Sequence, residues 1–311
     1  MTDGLVPWAP VEAARLGRET FTAHHGLVGH PLFDDDVLAR LLDDMPRGNL
    51  QVFTMGEDPA ATEDWRRGDA PDVSGEQLLA AVGRGRLWLN VVRVDSVDRR
   101  FADLLHELFT SLEGLVSGLK IIDGRATLLI SSPGAQVYYH ADAQPNLLWQ
   151  VRGVKRLWVY PALDPDFVST DDLGRIFTGE TDEQLPYDPA FDASARVVEL
   201  RPGEVASWPQ NAPHRVSNVE GVNVSLSTEY ITPETARRAH VRGANRMLNR
   251  FSIPVRSTRE TGFSPTAKAY LYRLARRAKV GQITPAGRPV QFHVSPDEAV
   301  GYAPVAPSTG P

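Results

Sequence analysis

The chain has 311 residues, of which 42% are hydrophobic, 23% charged and 8% aromatic, ordinary values that exclude gross disorder. No apolar run approaches the 18 residues of a membrane span, and the opening MTDGLVPWAPVEAARLGRE lacks the basic start and apolar core of a secretory signal, so a cytoplasmic address is expected. Cysteine is absent, which removes disulfides, thiolate metal sites and cysteine nucleophiles and leaves His, Asp and Glu as the available metal ligands.

The net charge of −6 is unevenly spread: residues 233–311 hold 13 Lys+Arg against 4 Asp+Glu, whereas the preceding residues hold 20 against 35. Such a basic region can face nucleic acid, an acidic partner or the acidic part of its own chain.

Taken in order, the first third reads as mixed α/β. Val37, Leu38, Leu41, Leu42 and Met45 share a helical face, and Asn49 to Met55 reads as a strand. A short helix (Glu76–Val82) precedes a strand-like Leu87–Val94. Phe101, Leu104, Leu105, Leu108, Leu112 and Leu115 then keep helical spacing over four turns. From about Ala126 to Tyr230 the texture changes to short β segments at 126–131, 136–142, 146–151, 154–160, 196–200, 204–208, 213–218 and 222–230. Arg152-Gly153 and Pro202-Gly203 read as tight turns. Eight such segments predict a jelly roll.

One gap interrupts them. Residues 161–194 carry nine acidic side chains and a single Arg, Arg175, which suggests a lid over the barrel mouth. After Tyr230 the chain turns helical, with Thr232-Pro233 and Ser264-Pro265 each reading as an N-cap followed by proline at the first helical position. Arg238, Arg242, Arg246 and Arg250 form an i,i+4 row, which reads as a solvated face. The tail from about Gly281 reads as irregular. The predicted organisation is an α/β N-terminal region (1–122), a jelly-roll core (123–232) and a basic helical C-terminal region (233–311).

Chemistry starts at His140-Ala141-Asp142. In a strand, residues two apart face the same side, and two His plus one carboxylate can hold a ferrous ion with positions left open. The motif alone is weak, because about one H-x-[DE] is expected by chance from this composition. With a turn at Arg152-Gly153, Gln150 opposes Lys155, Leu148 opposes Leu157 and Asn146 opposes Val159, so these six share one face. Leu147, Trp149, Arg156, Trp158 and Tyr160 share the other. If the first face points inward, so does Lys155, and a buried ammonium needs an anion. Among the remaining histidines, only His214 lies on a β segment of the same barrel.

These residues resemble the JmjC and cupin-like branch of Fe(II)/2-oxoglutarate oxygenases, with particular similarity to the asparaginyl hydroxylase of the hypoxia-inducible factor and its bacterial relatives. The resemblance covers about a third of the chain, from Ala126 to Tyr230. His140 is followed by Asp142, Asn146, Gln150, Gly153, Lys155 and Arg156 in the family's spacing, and a later PGE…WP…H pattern ends at His214. The resemblance implies a double-stranded β-helix core, Fe(II) on His140, Asp142 and His214, and 2-oxoglutarate with its distal carboxylate on Lys155. It also implies supporting contacts from Asn146 and Gln150. Where the family often has Thr, this chain has Val137, so Tyr138 or Tyr139 is the candidate hydroxyl. On the late strand Asn223, Ser225 and Ser227 share a face, and Ser227 takes the position near the cosubstrate.

The implied activity is hydroxylation of a protein or peptide side chain, with 2-oxoglutarate converted to succinate. A small-metabolite hydroxylase and a non-catalytic cupin-like metal or ligand binder are the alternatives. The acidic 161–194 segment favours a basic substrate, unless it packs on the basic C-terminal region instead. Helices after the barrel suit a homodimer, while nucleic acid ranks last because the arginine row lacks interleaved aromatics.

Overall fold

The fold is that of a computed structural model, described for residues 4–255, 257–278 and 287–305. Its strands are β1 (Phe21–His24), β2 (Leu50–Thr54), β3 (Arg66–Asp69), β4 (Trp88–Val91), β5 (Asp123–Ser131), β6 (Gln136–His140), β7 (Asn146–Val159), β8 (Arg196–Leu200), β9 (Glu204–Ser207), β10 (His214–Ile231), β11 (Val290–Val294) and β12 (Tyr302–Pro304). The helices are α1 (Pro10–Ala13), α2 (Asp35–Asp44), α3 (Gly75–Arg84), α4 (Val94–Val97), α5 (Arg99–Leu115), α6 (Thr170–Thr178), α7 (Pro233–Arg250) and α8 (Phe263–Arg277). None of them is long and apolar enough to cross a membrane.

Two long strands organise the core. The first half of β7 pairs with β9 and with the second half of β10, and β10 continues through β5 to β4, β2, β3, β11 and β12. The second half of β7 pairs with β8 and with the first half of β10, which also pairs with β6. Thus β7 and β10 each run through both layers of a jelly roll. Helices α2, α3 and α5 bury Leu38, Leu78 and Leu108 against the outer face of the larger layer, as their apolar stripes require. A second apolar cluster, including Leu148, Leu157, Val159 and Trp208, fills the space between the layers.

Here the structure corrects the predicted hairpin. Arg152-Gly153 does not turn the chain back; β7 is continuous, and the register of β10 slips between Asn218 and Ser225 beside it. Segments 213–218 and 222–230 are likewise one strand. Gly153, at φ +73, provides the left-handed residue of this irregularity. The face assignment survives because one extra residue shifts side-chain parity by one, as a two-residue turn would. Leu148 and Lys155 therefore line the cavity, while Leu147 and Trp149 face the helices.

Three other expectations change. The Arg201–Glu204 turn forms with Gly203 at φ +88, but β8 and β9 both pair with β7 rather than with each other. Helix α8 starts at Phe263 with Gly262 as its cap, so Pro265 sits later in the first turn than expected. Any first-turn position spares proline a lost helical bond. The tail contains β11, which pairs with β3, although residues 281–286 lie outside those described.

The arginine row of α7 is not a solvated face. Arg238 pairs with Glu260, Arg246 with Asp171 and Glu180, and Arg250 with Glu180, while Arg242 is buried. Segment 161–194 folds as α6 plus a 3₁₀ turn, Pro189–Ser194, and buries Leu173, Ile176 and Leu185 against Tyr139 and Tyr160. Its acidic side chains thus meet the chain's own C-terminal arginines.

A Cβ at position 153 would meet Asn223 Nδ2 at 2.6 Å and the Val222 carbonyl oxygen at 2.8 Å, in a left-handed conformation. Gly153→Ala is expected to destabilise the fold by about 1–3 kcal/mol or more. Urea unfolding followed by circular dichroism would show this as a lowered midpoint at unchanged slope; an unchanged midpoint would contradict it.

Candidate metal centre and its cavity

His140 ends β6 and His214 begins β10, and the two are register partners across that pair. Their ring centroids lie 4.1 Å apart. Asp142 lies two residues beyond the end of β6, with its oxygens 3.7 Å from each imidazole Nε2. One ligand atom from each of the three residues falls within 4.8 Å of the others. No other such group of His, Asp and Glu occurs among the described residues.

The second ring nitrogens fix how the imidazoles are used. His140 Nδ1 faces the Tyr138 carbonyl oxygen at 2.8 Å, and His214 Nδ1 faces the Ala212 carbonyl oxygen at 3.0 Å. A carbonyl can only accept, so both Nδ1 atoms carry the proton and both Nε2 lone pairs point at the shared space. Burial, reinforced by the neighbouring His140 ring, lowers the His214 pKa to about 4. His214 is therefore neutral near pH 7, the form that ligates metal. Two imidazole nitrogens and one carboxylate on one side of a common point fit a hard or borderline divalent ion such as Fe(II).

Asp142 is held through its side chain as well. Asn146 Nδ2 donates to Asp142 Oδ2 at 3.2 Å, and Ser227 Oγ donates to Asn146 Oδ1 at 3.0 Å. Asn146 and Ser227 both line the cavity, but these polar atoms are engaged in orienting the carboxylate.

The triad opens into a cavity of about 570 Å³. Lys155 lines its wall in the smaller layer, opposite Asn218 of β10 and four residues along β7 from Val159, the partner of His214. The side chain is buried, and burial lowers its pKa to about 7. Among the described residues no carboxylate or hydroxyl pairs with it.

Of the two candidate tyrosines, only Tyr138 lines the cavity, where its hydroxyl accepts from the Gly56 N–H at 3.1 Å. Tyr139 is corrected: it points out under the 161–194 segment and donates to the Phe167 carbonyl oxygen. Tyr139 alternates with the inward Tyr138 and His140, while one extra residue in β6 relative to β10 lets Val137 line the cavity as well. Gln150 is corrected too. Its amide donates to the Arg152 and Gly153 carbonyls and to Asn223, and accepts from Ser225, so it braces the irregularity of β7 and does not reach the cavity.

Several lining residues escape the sequence reading. Gln51 and Phe53 of β2, Trp65 and Arg67, and Trp88 and Asn90 of β4 extend the floor beyond the jelly roll. The alternation Leu87-Trp88-Leu89-Asn90-Val91 carried that signal, with the aliphatic side buried in the core. Glu183 of the acidic segment also lines the cavity; burial, with Asp142 and Glu229 nearby, raises its pKa. Glu229 is ion-paired with Arg125.

A family model described as a cupin-like domain matches residues 82–233. The matched stretch spans β5 to β10, the strands that form the two layers of the jelly roll. An X-ray structure of the Escherichia coli protein YcfD aligns at a TM-score of 0.53 and 16% identity, covering 89% of this chain and 70% of that one. YcfD described as a ribosomal oxygenase, in complex with cobalt and 2-oxoglutarate, aligns at 0.51 and 15% identity, covering 87% and 67%. At these identities the likeness is one of fold, and it extends well beyond the matched stretch. No curated protein matches the chain at a significant level.

The unpaired Lys155 predicts a pH signature. Its folded pKa of about 7 lies below the unfolded value of 10.5, so between these pH values the unfolded chain binds more protons, and stability rises with pH. The contribution approaches about 1.4 kcal/mol per pH unit above pH 7. Urea titrations of the metal-free protein at pH 7, 8 and 9 should show this slope relative to Lys155→Met, which lacks it; parallel curves would refute the unpaired lysine.

Proposed function

We propose that the protein is an Fe(II)- and 2-oxoglutarate-dependent oxygenase that hydroxylates a protein or peptide side chain. The observation that carries this reading is an unpaired, buried ammonium on the wall of the same cavity as an open His-Asp-His triad. His140 Nε2, Asp142 and His214 Nε2 would hold the metal. Lys155 would take the distal carboxylate of 2-oxoglutarate, an anion that relieves the cost of a buried lone cation. When bound, iron and cosubstrate supply the oxidising chemistry, converting 2-oxoglutarate to succinate as oxygen is transferred.

The chain's own residues do the rest. Asn146 and Ser227 orient Asp142, and the two backbone carbonyls hold the histidine tautomers. Tyr138, Leu148 and Val216 wall the cavity, and the 161–194 segment contributes Glu183 to its rim, which keeps water from the reacting groups. Glu183, whose carboxyl burial holds toward its protonated form, and Glu229, paired with Arg125, offer hydrogen-bonding groups on this side of the cavity to a polar or basic substrate group. YcfD, which shares the fold, is described as a ribosomal oxygenase crystallised with cobalt and 2-oxoglutarate, and this supports the choice of metal, cosubstrate and a protein substrate. A cytoplasmic setting accords with such a substrate.

A homodimer through the C-terminal helices belongs to the same reading. Phe263, Tyr270, Leu271 and Leu274 of α8 are exposed at 91, 62, 60 and 43%, an apolar strip that a second copy would cover. Light scattering at micromolar concentration should give twice the chain mass for the wild type and the chain mass for Leu271→Asp. A monomeric wild type would refute this assembly.

The chemistry is tested by adding Fe(II) and 2-oxoglutarate without oxygen and recording the visible spectrum. The wild type should develop a weak metal-to-ligand charge-transfer band. His214→Ala should lose it, and Lys155→Ala should need about ten- to hundredfold more 2-oxoglutarate, the loss of one charge-assisted contact. Metal binding without a band would leave a non-catalytic cupin-like binder.

A further inference from the structure

The loop that carries Asp142 lies outside β6. The Ala141 N–H still donates to the Glu183 carbonyl oxygen at 3.1 Å, but at Asp142 and Ala143 side chains hold the backbone. Asn211 Nδ2 donates to the Asp142 carbonyl oxygen at 2.8 Å, and Gln210 Nε2 donates to the Ala143 carbonyl oxygen at 2.9 Å. From the opposite side, the Ala143 N–H donates to Glu183 Oε1 at 3.0 Å. Gln210 and Asn211 are buried, at 3 and 1% exposure. They belong to the short loop between Trp208 and His214 whose Ala212 carbonyl also fixes the His214 tautomer. This loop therefore braces two of the three candidate ligands at once.

A bare glutamine could present either end of its amide to Ala143. Arg238 of α7 decides which. Its guanidinium donates from one terminal nitrogen to Gln210 Oε1 at 3.0 Å, and from Nε to Glu260 Oε1 at 2.7 Å. Arginine has donors only, so it captures the oxygen of the amide and leaves the NH₂ group to face the carbonyl. Glu260 in turn holds the guanidinium in place. The contacts run without a gap from α7 to the carbonyl of Ala143, the residue that follows Asp142.

We propose that Arg238, acting through Gln210, is a positioning residue for Asp142, so that the C-terminal helix sets the geometry of the metal centre. The inference rests on the reading of His140, Asp142 and His214 as a metal centre. It gives Arg238 a task that Arg246 does not share: Arg246, two turns along the same helix, pairs with Asp171 and Glu180 of the 161–194 segment.

The test is anaerobic titration of the full-length protein with Co(II), followed by absorbance and calorimetry, with the thermal midpoint measured alongside. Arg238→Met and the isosteric Gln210→Glu, which can accept from Arg238 but cannot donate to Ala143, should each weaken Co(II) binding by about ten- to hundredfold, the usual effect of losing a group that orients a ligand. Arg238→Lys retains a donor and should remain within a few-fold of wild type. Arg246→Met should bind Co(II) like wild type even though it breaks ion pairs of the same helix. Wild-type affinity in both Arg238→Met and Gln210→Glu would overturn the proposal, as would an equal loss in Arg246→Met. A wild type without affinity for Co(II) would instead overturn the metal-centre reading on which it rests.

Discussion

The molecule depends on the register between β6 and β10. By setting His140 opposite His214, that pairing brings two imidazoles from residues 74 positions apart to within 4.1 Å of one another. Cross-strand neighbours are held to a fraction of an ångström by the ladder on either side. A site built this way inherits the rigidity of the sheet. The price of the arrangement appears at its edge, where Asp142 leaves the strand and must be held by side chains rather than by the ladder.

A second consequence concerns charge. The same layer that carries the histidines carries Lys155, buried and with no anionic partner among the described residues. Folding an ammonium into such a place opposes stability. The remainder of the core, from the helical stripes of α2, α3 and α5 to the packed interior around Leu157, must offset that cost. An unpaired internal charge of this kind is consistent with a site arranged for a ligand, because an arriving carboxylate restores the missing interaction.

Much of this was legible in the chain. The helices at α2, α3 and α5 follow from their 3–4 apolar spacing, and the jelly-roll strands from short alternating segments. The shared face of His140 and Asp142, and that of Leu148 and Lys155, follow from strand parity, whereas the role of His214 came from its place on a β segment and from the family resemblance. Parity even survives a wrong topology: β7 does not turn at Gly153, yet Leu148 and Lys155 face the same cavity because a bulge and a two-residue turn shift the alternation equally. Other features were not legible. Tyr138 and Tyr139 stood as alternatives that only the observed register separates, and the Gln150 amide is taken up by the Arg152 and Gly153 carbonyls and by Asn223 and Ser225, contacts that alternation cannot foretell. The arginines of α7 look solvated by composition, but acidic partners as distant in sequence as Asp171 and Glu180 draw them inward.

The sequence by itself therefore determined which residues could act together: periodicity is local, and a period of two or 3.6 assigns each side chain to a face without knowledge of what that face meets. Tertiary structure alone decided what they meet. It joined eight expected segments into six strands, drew the cavity floor from β2 and β4, and bound the acidic segment to the basic helix. It also aimed Gln210 at the Asp142 loop, because hydrogen-bond partners and opposing charges are selected in space, between residues whose separation along the chain carries no periodic signal.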